Sequence, residues 1–184
     1  YEIGNLVQET HYIFYDNGQK KSEVSYKDGQ LDGEVTSWNE NGRALKKEQY
    51  ENGNLVKETH FTYFNNGQKK SEVSFKYGQL DGEVTSWNEN GGVWKMEQYE
   101  IGNLVQETHY IFYDNGKVKK ARNYQNGLLN GIFTSWHNNG QKKSEVNYKD
   151  NIKDGKFTSW NETGQIESVV TFKDGVCVSE SCVN

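Results

Sequence analysis

Paired carboxylates come nearest to a catalytic arrangement in this sequence. Asp32 and Glu34 lie two positions apart, and the same pair recurs as Asp81 and Glu83. Alternation along a strand would place both carboxylates of a pair on one face, which would suit a hydrolase that uses two acids. The pairs recur as part of a longer repeat, however, and a repeated position near a turn is better explained by structure. We therefore predict no catalytic residues and no enzymatic activity.

Histidine and cysteine provide no convincing metal site. His11, His60 and His109 recur every 49 residues. In an antiparallel sheet with two strands per repeat, neighbouring members lie four strands apart, or about 19 Å, which is too far to share an ion. We interpret them as solvated strand positions and predict neither a metal nor another cofactor. Cys177 and Cys182 could form a local disulfide, but we favour a free pair in a terminal strand.

Lysine pairs recur along the chain, and acidic residues such as Glu23, Glu48 and Glu72 follow them closely. The lysines could pair with acids across neighbouring strands and keep a sheet face polar. Alternatively, they could form a stripe that binds phosphate or lipid headgroups. We favour charge pairing. The pairs are Lys20-Lys21, Lys46-Lys47, Lys69-Lys70, Lys119-Lys120 and Lys142-Lys143.

Aromatic side chains recur at two positions of the repeat. One aromatic opens each unit, at Tyr1, Tyr26, Tyr50, Phe75, Tyr99, Tyr124, Tyr148 and Phe172. A second lies four residues before a mid-unit glycine, at Phe14, Trp38, Tyr63, Trp87, Phe112, Trp136 and Trp160. The rings could stack into a thin core, or they could face sugars or choline-like cations. We favour the core, because hydrophobic residues make up only 33% of the chain.

The repeat that positions these residues is 24 or 25 residues long. Seven repeats begin at residues 1, 26, 50, 75, 99, 124 and 148, and a partial eighth begins at residue 172. Long and short repeats alternate through most of the chain, and residues 1–18 are identical to residues 99–116. Because stacked repeats contact mainly their neighbours, we predict a single elongated repeat domain over residues 1–184.

Glycines divide each repeat into two strands. Gly29 and Gly42 follow Asp or Asn in short polar segments, where a turn needs a residue with positive φ. Runs rich in Val, Thr and aromatic residues separate these turns, as is typical of strands. No helical periodicity competes with them. The sequence therefore predicts an all-β fold, an elongated antiparallel β-meander of repeated hairpins.

The turns also predict which side chains share a sheet face. If the loop at Gly29 has three residues, Tyr26 lies opposite Gln30, and alternation places Trp38 on the same face as Tyr26. Leu31 then points to the other face.

Two further expectations concern register. A three-residue loop at Gly42 places Trp38 opposite Ala44. The extra residue of each long repeat would invert the face, so we expect a β-bulge or a longer turn in those repeats.

Six positions of the repeat form the pattern Y-x-x-G-x-L-x-G-x-x-x-x-W-x-x-x-G, which resembles the MORN repeat. They are Tyr26, Gly29, Leu31, Gly33, Trp38 and Gly42, and the tryptophan position recurs as Trp87, Trp136 and Trp160. The segment NGQKKSEVSY at residues 17–26 looks most like the bacterial variant of the repeat found in YwqK-family antitoxin proteins. The resemblance implies a twisted sheet of hairpins in which these positions are structural. It also implies a protein partner, a toxin for some members, or a position near a membrane.

Charge and composition narrow the function. The net charge of −5 gives no reason to expect a nucleic acid or an acidic membrane as partner. We predict a non-enzymatic scaffold that mediates protein–protein interaction, with an antitoxin-like role implied by the resemblance. A module that binds cell-envelope glycans or lipid headgroups is the alternative.

Open strand edges at the two ends of the array would also permit end-to-end self-association. The sequence begins at a repeat boundary and ends within a repeat, and we interpret it as a mature chain or an excised piece. Neither the cytoplasm nor the cell envelope is favoured as its compartment.

Overall fold

A computed structural model describes residues 8–179 and residue 182 of the chain. Sixteen β-strands are assigned within these residues, and no α-helix is. The first eight strands are β1 Gln8–Phe14, β2 Lys20–Lys27, β3 Gln30–Trp38, β4 Ala44–Glu51, β5 Asn54–Tyr63, β6 Lys69–Lys76, β7 Gln79–Trp87 and β8 Val93–Glu100. The remaining eight are β9 Asn103–Phe112, β10 Val118–Gln125, β11 Leu128–Leu129, β12 Gly131–Trp136, β13 Lys142–Lys149, β14 Ile152–Trp160, β15 Ile166–Lys173 and β16 Val176–Cys177.

The chain forms two compact units. The first comprises the described residues up to Thr85 together with Tyr99–Asn103, and the second comprises Ser86–Gln98 and the described residues from Leu104 onward. In the first unit β1 to β6 pair in sequence order, each antiparallel to the next. In the second unit β9, β10, β12, β13, β14, β15 and β16 do the same, and the short β11 pairs with β10.

The predicted all-β antiparallel meander of hairpins is therefore confirmed. The assignment of residues 1–184 to one domain stays a prediction. The start of the first repeat, at Tyr1, lies outside the described residues.

The turn at Gly29 contains two residues rather than three. Tyr26 pairs with Leu31, so the prediction that it lies opposite Gln30 is wrong. Asp28 and Gly29 both have positive φ, 49° and 77°, as a type I′ turn requires. Aspartate can occupy the left-handed region beside glycine because its short polar side chain tolerates that conformation.

The two repeat aromatics consequently lie on opposite faces of the sheet. Tyr26 shares a face with Leu31, because directly opposed residues of an antiparallel pair point the same way. Ser22, on the same face as Tyr26, pairs with Ser37, so the next residue, Trp38, points to the other face. The prediction that Tyr26 and Trp38 share a face is wrong, because the shorter turn shifts the register by one residue.

The second unit has the same arrangement. Ser144 pairs with Ser159, which places Tyr148 on one face and Trp160 on the other. We call these faces the tyrosine face and the tryptophan face of each unit.

A β-bulge occurs in the long repeat that begins at Tyr50. Tyr50 pairs with Leu55, but Gln49 pairs with Lys57, so Val56 is the additional residue. The bulge expected in long repeats is confirmed at this position.

A second kind of bulge follows the mid-repeat turn. Trp38 pairs with Ala44, as predicted, and Ser37 pairs with Lys46. Leu45 is therefore the additional residue of β4. Such a bulge leaves its extra residue without a cross-strand partner.

Small side chains, rather than aromatic rings, occupy the most buried positions. Among the described residues those below one-tenth exposure are Val84, Ala121, Val146, Thr36, Thr85, Thr134, Ser135 and Thr158. The ring positions that we expected to form the core, such as Trp38 and Trp160, are only half-buried. The buried line along the strand centres is thus built from small residues, mostly β-branched.

Cys177 and Cys182 form a disulfide, so the free pair that we favoured is wrong. Beyond β16 the N–H of Val178 donates to the carbonyl of Thr171 at 2.8 Å. The N–H of Thr171 donates to the hydroxyl of Ser179 at 3.1 Å. These bonds hold the segment against β15, and the two cysteine Cα atoms lie 6.0 Å apart. The spacing in the sequence could not show this return of the chain.

Candidate interaction surface

The mid-repeat turns are stabilised by their own side chains. In the turn after β3, the N–H of Gly42 donates to the carbonyl of Asn39 at 2.9 Å. The side-chain oxygen of Asn39 accepts hydrogen bonds from the N–H groups of Asn41 and Arg43 at 3.0 Å. These bonds satisfy the turn without a ligand. We call these five-residue turns the long turns, and the two-residue turns such as Asp28-Gly29 the short turns.

Hydrogen bonds also join one long turn to the next. The hydroxyl of Tyr15 donates to the carbonyl of Trp38 at 2.7 Å, and that of Tyr113 donates to the carbonyl of Trp136 at 2.6 Å. The Nε2 atom of His137 lies 2.8 Å from the carbonyl oxygen of Trp160. Each of these contacts spans 23 residues. The long turns are therefore positioned by their neighbours rather than by their own sequence alone.

The bulge after each long turn presents one exposed side chain. In the first unit these bulge residues are Lys21, Leu45 and Lys70, and in the second they include Lys119, Lys143 and Glu167. Trp94 occupies the position equivalent to Leu45 one 49-residue period later. All seven are exposed. We call them the bulge row of each unit.

The bulge row of each unit contains both cationic and apolar side chains. Leu45 is 42% exposed and Trp94 is 44% exposed. The ammonium groups of Lys21, Lys70 and Lys119 lie 5.2 to 5.8 Å from the ring centres of Tyr15, Phe64 and Tyr113, in that order. Among the described residues these three lysines have no carboxylate partner. Each unit's bulge row therefore combines at least one lysine that has no carboxylate partner in the described part of the chain with one exposed apolar side chain.

The first lysine of a pair has a different environment. Lys20 lies 2.7 Å from a carboxylate oxygen of Glu23 and sits over the rings of Tyr12 and Trp38, at 4.6 and 5.7 Å from their centres. Lys142 likewise lies 2.6 Å from Glu145. Charge pairing with acids was predicted. For Lys20 and Lys142 the acid lies three positions away in the same strand. For Lys46 and Lys47 an acid lies on a neighbouring strand, as predicted, with Glu58 2.6 Å from Lys46 and Glu34 3.3 Å from Lys47.

The tyrosine face carries a charged cluster that the sequence reasoning missed. The Nζ atom of Lys46 lies 2.6 Å from a carboxylate oxygen of Glu58 and 2.9 Å from one of Glu48. Glu58 also contacts the Nε2 atom of His60 at 3.0 Å. The ring of His60 packs against Phe75 with centres 4.9 Å apart. The histidines were predicted to be solvated strand positions, and His60 instead belongs to a partly buried network.

A second copy of this network occurs in the second unit. Lys95 lies 2.9 Å from Glu97 and 3.2 Å from Glu107, and Glu107 lies 3.0 Å from His109. The signal that could have found both copies is a Lys-x-Glu strand followed by a Glu-x-His strand in every 49 residues.

Hydrogen bonds within the first cluster shift the pKa values of Glu58 and Lys46 toward their charged forms. The hydrogen bond from Lys46 is the main cause that holds the pKa of Glu58 below its ordinary value of 4.5. Burial acts to lower the pKa of Lys46, but hydrogen bonds to Glu58 and Glu48 outweigh it, so this pKa is raised. The cluster therefore behaves as a set of ion pairs.

The paired carboxylates of the sequence have structural partners. Asp32 accepts a hydrogen bond from the N–H of Asn52 at 3.1 Å. Glu34 accepts one from the hydroxyl of Thr36 at 2.8 Å and lies 3.3 Å from the ammonium of Lys47. The Thr36 hydroxyl is the main cause that lowers the pKa of Glu34. A lowered pKa is the opposite of what a general acid needs at neutral pH.

The glycines singled out in the sequence all lie at backbone positions with positive φ. The φ angles are 77° at Gly29, 101° at Gly33 and 74° at Gly42. A Cβ at Gly33 would lie only 3.2 Å from the Cβ of Ser25, so this glycine also permits close approach of two strands. The carbonyl of Leu31 accepts a hydrogen bond from Gly53 at 2.7 Å.

The aromatic positions singled out are strand positions. Tyr26 lies in β2, where its ring centre is 5.0 Å from that of His11. The tryptophan position is the last residue of its strand and is half-buried in each of Trp38, Trp87, Trp136 and Trp160.

The described residues contain neither a candidate metal cluster nor a candidate membrane-spanning helix. Within the part of the chain that the structure describes, no group of three or more His, Cys, Asp or Glu side chains is placed to hold a metal ion. The same residues include no helix with the length and apolar character needed to cross a bilayer.

One family model matches most of the chain. It describes a MORN repeat variant, and its matches cover residues 10–28, 45–62, 59–77, 80–100, 108–126, 129–150 and 153–174. No curated protein matches the sequence.

Two solved structures show weak similarity. The crystal structure of the GtfA/B complex bound to UDP and GlcNAc is 14% identical over 71% of this chain, with a TM-score of 0.21, and this chain spans only 22% of that one. A protein of unknown function from Bacteroides fragilis NCTC 9343 is 13% identical over 90% of this chain and 91% of its own, with a TM-score of 0.13. TM-scores at this level carry no argument about fold or function.

Proposed function

The chain belongs to the MORN repeat variant family, and we propose that it is a non-enzymatic repeat module that binds another protein through its bulge rows. MORN repeats generally serve as modules for interaction with proteins or membranes. The observation that carries the choice of a protein is the combination of exposed Leu45 and Trp94 with unpaired lysines in the same rows. Exposed apolar side chains beside charged ones are typical of protein-binding patches.

The two alternatives fit the surface less well. For a lipid-headgroup binder, Lys20, Lys69 and Lys142 are already paired with glutamates at 2.6 to 2.8 Å, and the chain carries a net charge of −5. For a glycan binder, the ring of Trp38 faces the ammonium of Lys20 and that of Trp160 faces Lys142. Rings that contact the chain's own cations offer less free surface for stacking on a sugar.

The proposal that the module is not an enzyme rests on the paired carboxylates. Asp32 is engaged by the backbone of the next short turn, and Glu34 is engaged by Thr36 and Lys47. Both acids thus have hydrogen-bond partners within the fold. The hydrogen bonds that Glu34 accepts favour its ionised form.

A capture experiment with matched variants tests the protein-binding proposal. The tagged chain serves as bait in a lysate of the source cells, beside a variant with Leu45→Ser and Trp94→Ser. The control variant carries Tyr77→Asn and Ile101→Asn, which remove residues that are 70% and 72% exposed at short turns. We expect one stoichiometric protein that the wild type and the control capture and that the bulge-row variant loses.

The outcome also separates the alternatives. Equal capture by all three baits would show that the bulge rows are not the binding surface. No protein above background, together with salt-sensitive binding to anionic vesicles or a glycan-induced change in tryptophan fluorescence, would favour the lipid or glycan module instead. A narrower version of the proposal is that the captured protein is a toxin that the module neutralises, and restored growth on co-expression of the two would support it.

A further inference from the structure

The residue that follows the glycine of a long turn normally covers the next long turn. The guanidinium of Arg43 occupies the space into which a Cβ at Gly67 would project, and the side-chain oxygen of Gln19 lies 2.9 Å from the equivalent point at Gly42. The same relation links Lys117 to Gly140 and Gln141 to Gly164. A long polar side chain therefore closes the gap between these neighbouring turns.

Gly92 interrupts this cover in the second unit. It occupies the covering position but has no side chain, and nothing lies within 4 Å of the Cβ position at the next turn glycine, Gly116. A groove lies between the turns at residues 88–92 and 113–117. Its lining residues are Asn88, Asn90, Gly91, Gly92, Phe112, Tyr113, Asp114 and Gly116.

In the first unit, the position 49 residues before Gly92 is occupied by an arginine. Position 43 corresponds to position 92, and in the first unit Arg43 fills the gap itself. Its guanidinium lies 5.7 Å from the ring centre of Tyr63, which corresponds to Phe112. The first unit thus contains a guanidinium against an aromatic ring at the site that Gly92 leaves open in the second.

The turn at residues 113–117 carries two charges that the equivalent turn of the first unit lacks. Lys117 stands where the first unit has Gln68, and its ammonium donates to the carbonyl of Asn139 at 2.9 Å. Asp114 stands where the first unit has Asn65. Asp114 is exposed, and its carboxylate has no hydrogen-bond or ion-pair partner among the described residues. The side-chain oxygen of Asn88 is already used by the N–H groups of Asn90 and Gly92, at 3.0 and 2.9 Å. Among the carboxylate and side-chain amide oxygens of the lining residues, those of Asp114 and Asn90 remain as acceptors.

We propose that the groove at Gly92 binds the guanidinium group of an arginine side chain presented by a protein partner. The ring of Phe112 offers a face for the planar cation, and Asp114 offers a carboxylate that can accept two parallel N–H bonds. Arginine suits this site better than lysine, because its planar fork both stacks on a ring and binds a carboxylate in bidentate fashion.

This inference rests on the proposed function only for the statement that a protein supplies the arginine. Affinity of the groove for a guanidinium is a separate property and can be measured with a small probe. The two can therefore fail independently.

The test is a titration of the ¹⁵N-labelled full chain with N-acetyl-arginine amide, followed by NMR shifts of the Gly92 and Gly116 amides. N-acetyl-citrulline amide, which has the same shape without the charge, is the control ligand. We expect saturable shifts with the arginine probe. The affinity for the citrulline probe should be lower by a factor of about five, because this probe forms neither the exposed ion pair nor the cation–π contact.

Two variants locate the binding. Gly92→Arg should fill the groove as Arg43 fills its equivalent and should abolish the shifts. The φ angle of Gly92 is not in the left-handed region, but an added Cβ would lie 3.1 Å from the ring of Phe112, so the ring must move slightly. Asp114→Asn changes no packing and should weaken binding of the arginine probe about threefold while leaving the citrulline probe unaffected.

A gain-of-function variant completes the experiment. Arg43→Gly combined with Asn65→Asp should create a second guanidinium site in the first unit, detected by new shifts at Gly67. Equal binding of the arginine and citrulline probes, or full binding by Gly92→Arg, would overturn the proposal. If the probe binds as expected but no protein is captured from lysate, the groove stands and the protein-binding function fails. If a partner is captured but the arginine probe does not bind, the protein-binding function stands and the guanidinium site fails.

Discussion

The carboxylate of Asp32 accepts a hydrogen bond from the backbone N–H of Asn52, 3.1 Å away and 20 residues along the chain. Asn52 has positive φ in the next short turn, so the aspartate of one hairpin secures the turn of the following one. The same contact joins Asp81 to Ile101 at 3.1 Å. This aspartate of the repeat therefore forms a hydrogen bond that connects one hairpin to the short turn of the next.

Loss of this link should destabilise the first unit. We expect Asp32→Ala to lower the free energy of unfolding by about 1 kcal/mol, because the N–H of Asn52 loses its acceptor. Asp32→Asn keeps an acceptor oxygen and should cost less than half as much. Urea unfolding followed by tryptophan fluorescence measures both. Equal effects of the two substitutions would show that charge, and not the hydrogen bond, is what matters.

Ile101 should be a destabilising residue in its present position. Its φ is 48°, and a β-branched side chain is strained in the left-handed region. Most other short turns carry aspartate or asparagine at the equivalent position, and Tyr77 is the other exception. The former are Asp28, Asn52, Asn126, Asp150 and Asp174. We expect Ile101→Asn to raise the free energy of unfolding by about 1 kcal/mol, measured by the shift of the urea midpoint. A lower urea midpoint for the variant would mean that the contacts of the isoleucine side chain stabilise the fold by more than its backbone strain destabilises it.

Glu58 should make the fold sensitive to acid. Its pKa is lowered from 4.5 in the folded chain, so the unfolded chain takes up the proton more readily. The stability that depends on the ionised carboxylate is therefore complete above pH 4.5 and is lost as the pH falls below it. We expect Glu58→Gln to cost about 1 kcal/mol at pH 7 and progressively less in acid, as measured by urea unfolding at several pH values.

A matched control separates this effect from general acid unfolding. Glu51 lies at the end of β4, is exposed and forms no ion pair with a described residue. The difference between wild type and Glu51→Gln should stay small and constant across the same pH range. If the Glu58→Gln difference is equally constant, the cluster with Lys46 does not contribute as argued.

The Cys177–Cys182 disulfide should hold β16 against the edge of β15. Closing a loop of this length contributes about 2 kcal/mol by constraining the unfolded chain. On reduction we expect faster hydrogen exchange at the amides of Val178 and Thr171, which bond across this edge. Val146, buried in β13, should keep its protection.

The comparison can be made by exchange mass spectrometry with and without dithiothreitol, and a variant with Cys177→Ser and Cys182→Ser should match the reduced protein. Unchanged exchange at Thr171 after reduction would show that the hydrogen bonds alone keep the segment in place.

The repeat itself could be predicted from the sequence because its signals are local. The positive φ of Gly42 and the pairing of Trp38 with Ala44 follow from residues within one turn. The face of Tyr26 could not be predicted, because it depends on whether Asp28 joins Gly29 in the left-handed region. A difference of one residue in that turn reverses which side chains share a face.

For the candidate interaction surface, too, some features follow from the sequence and others only from the tertiary structure. Composition and period alone determined that the chain is a β-repeat array with few apolar residues. Only the tertiary structure decided that Arg43 covers Gly67 and that Gly92 leaves Gly116 open, because each relation joins residues 24 positions apart through the stacking of successive turns. The clusters of Lys46 with Glu58 and of Cys177 with Cys182 likewise depend on how neighbouring strands align. Local chemistry sets the turns and strands, whereas contacts between turns depend on register, which no single repeat contains.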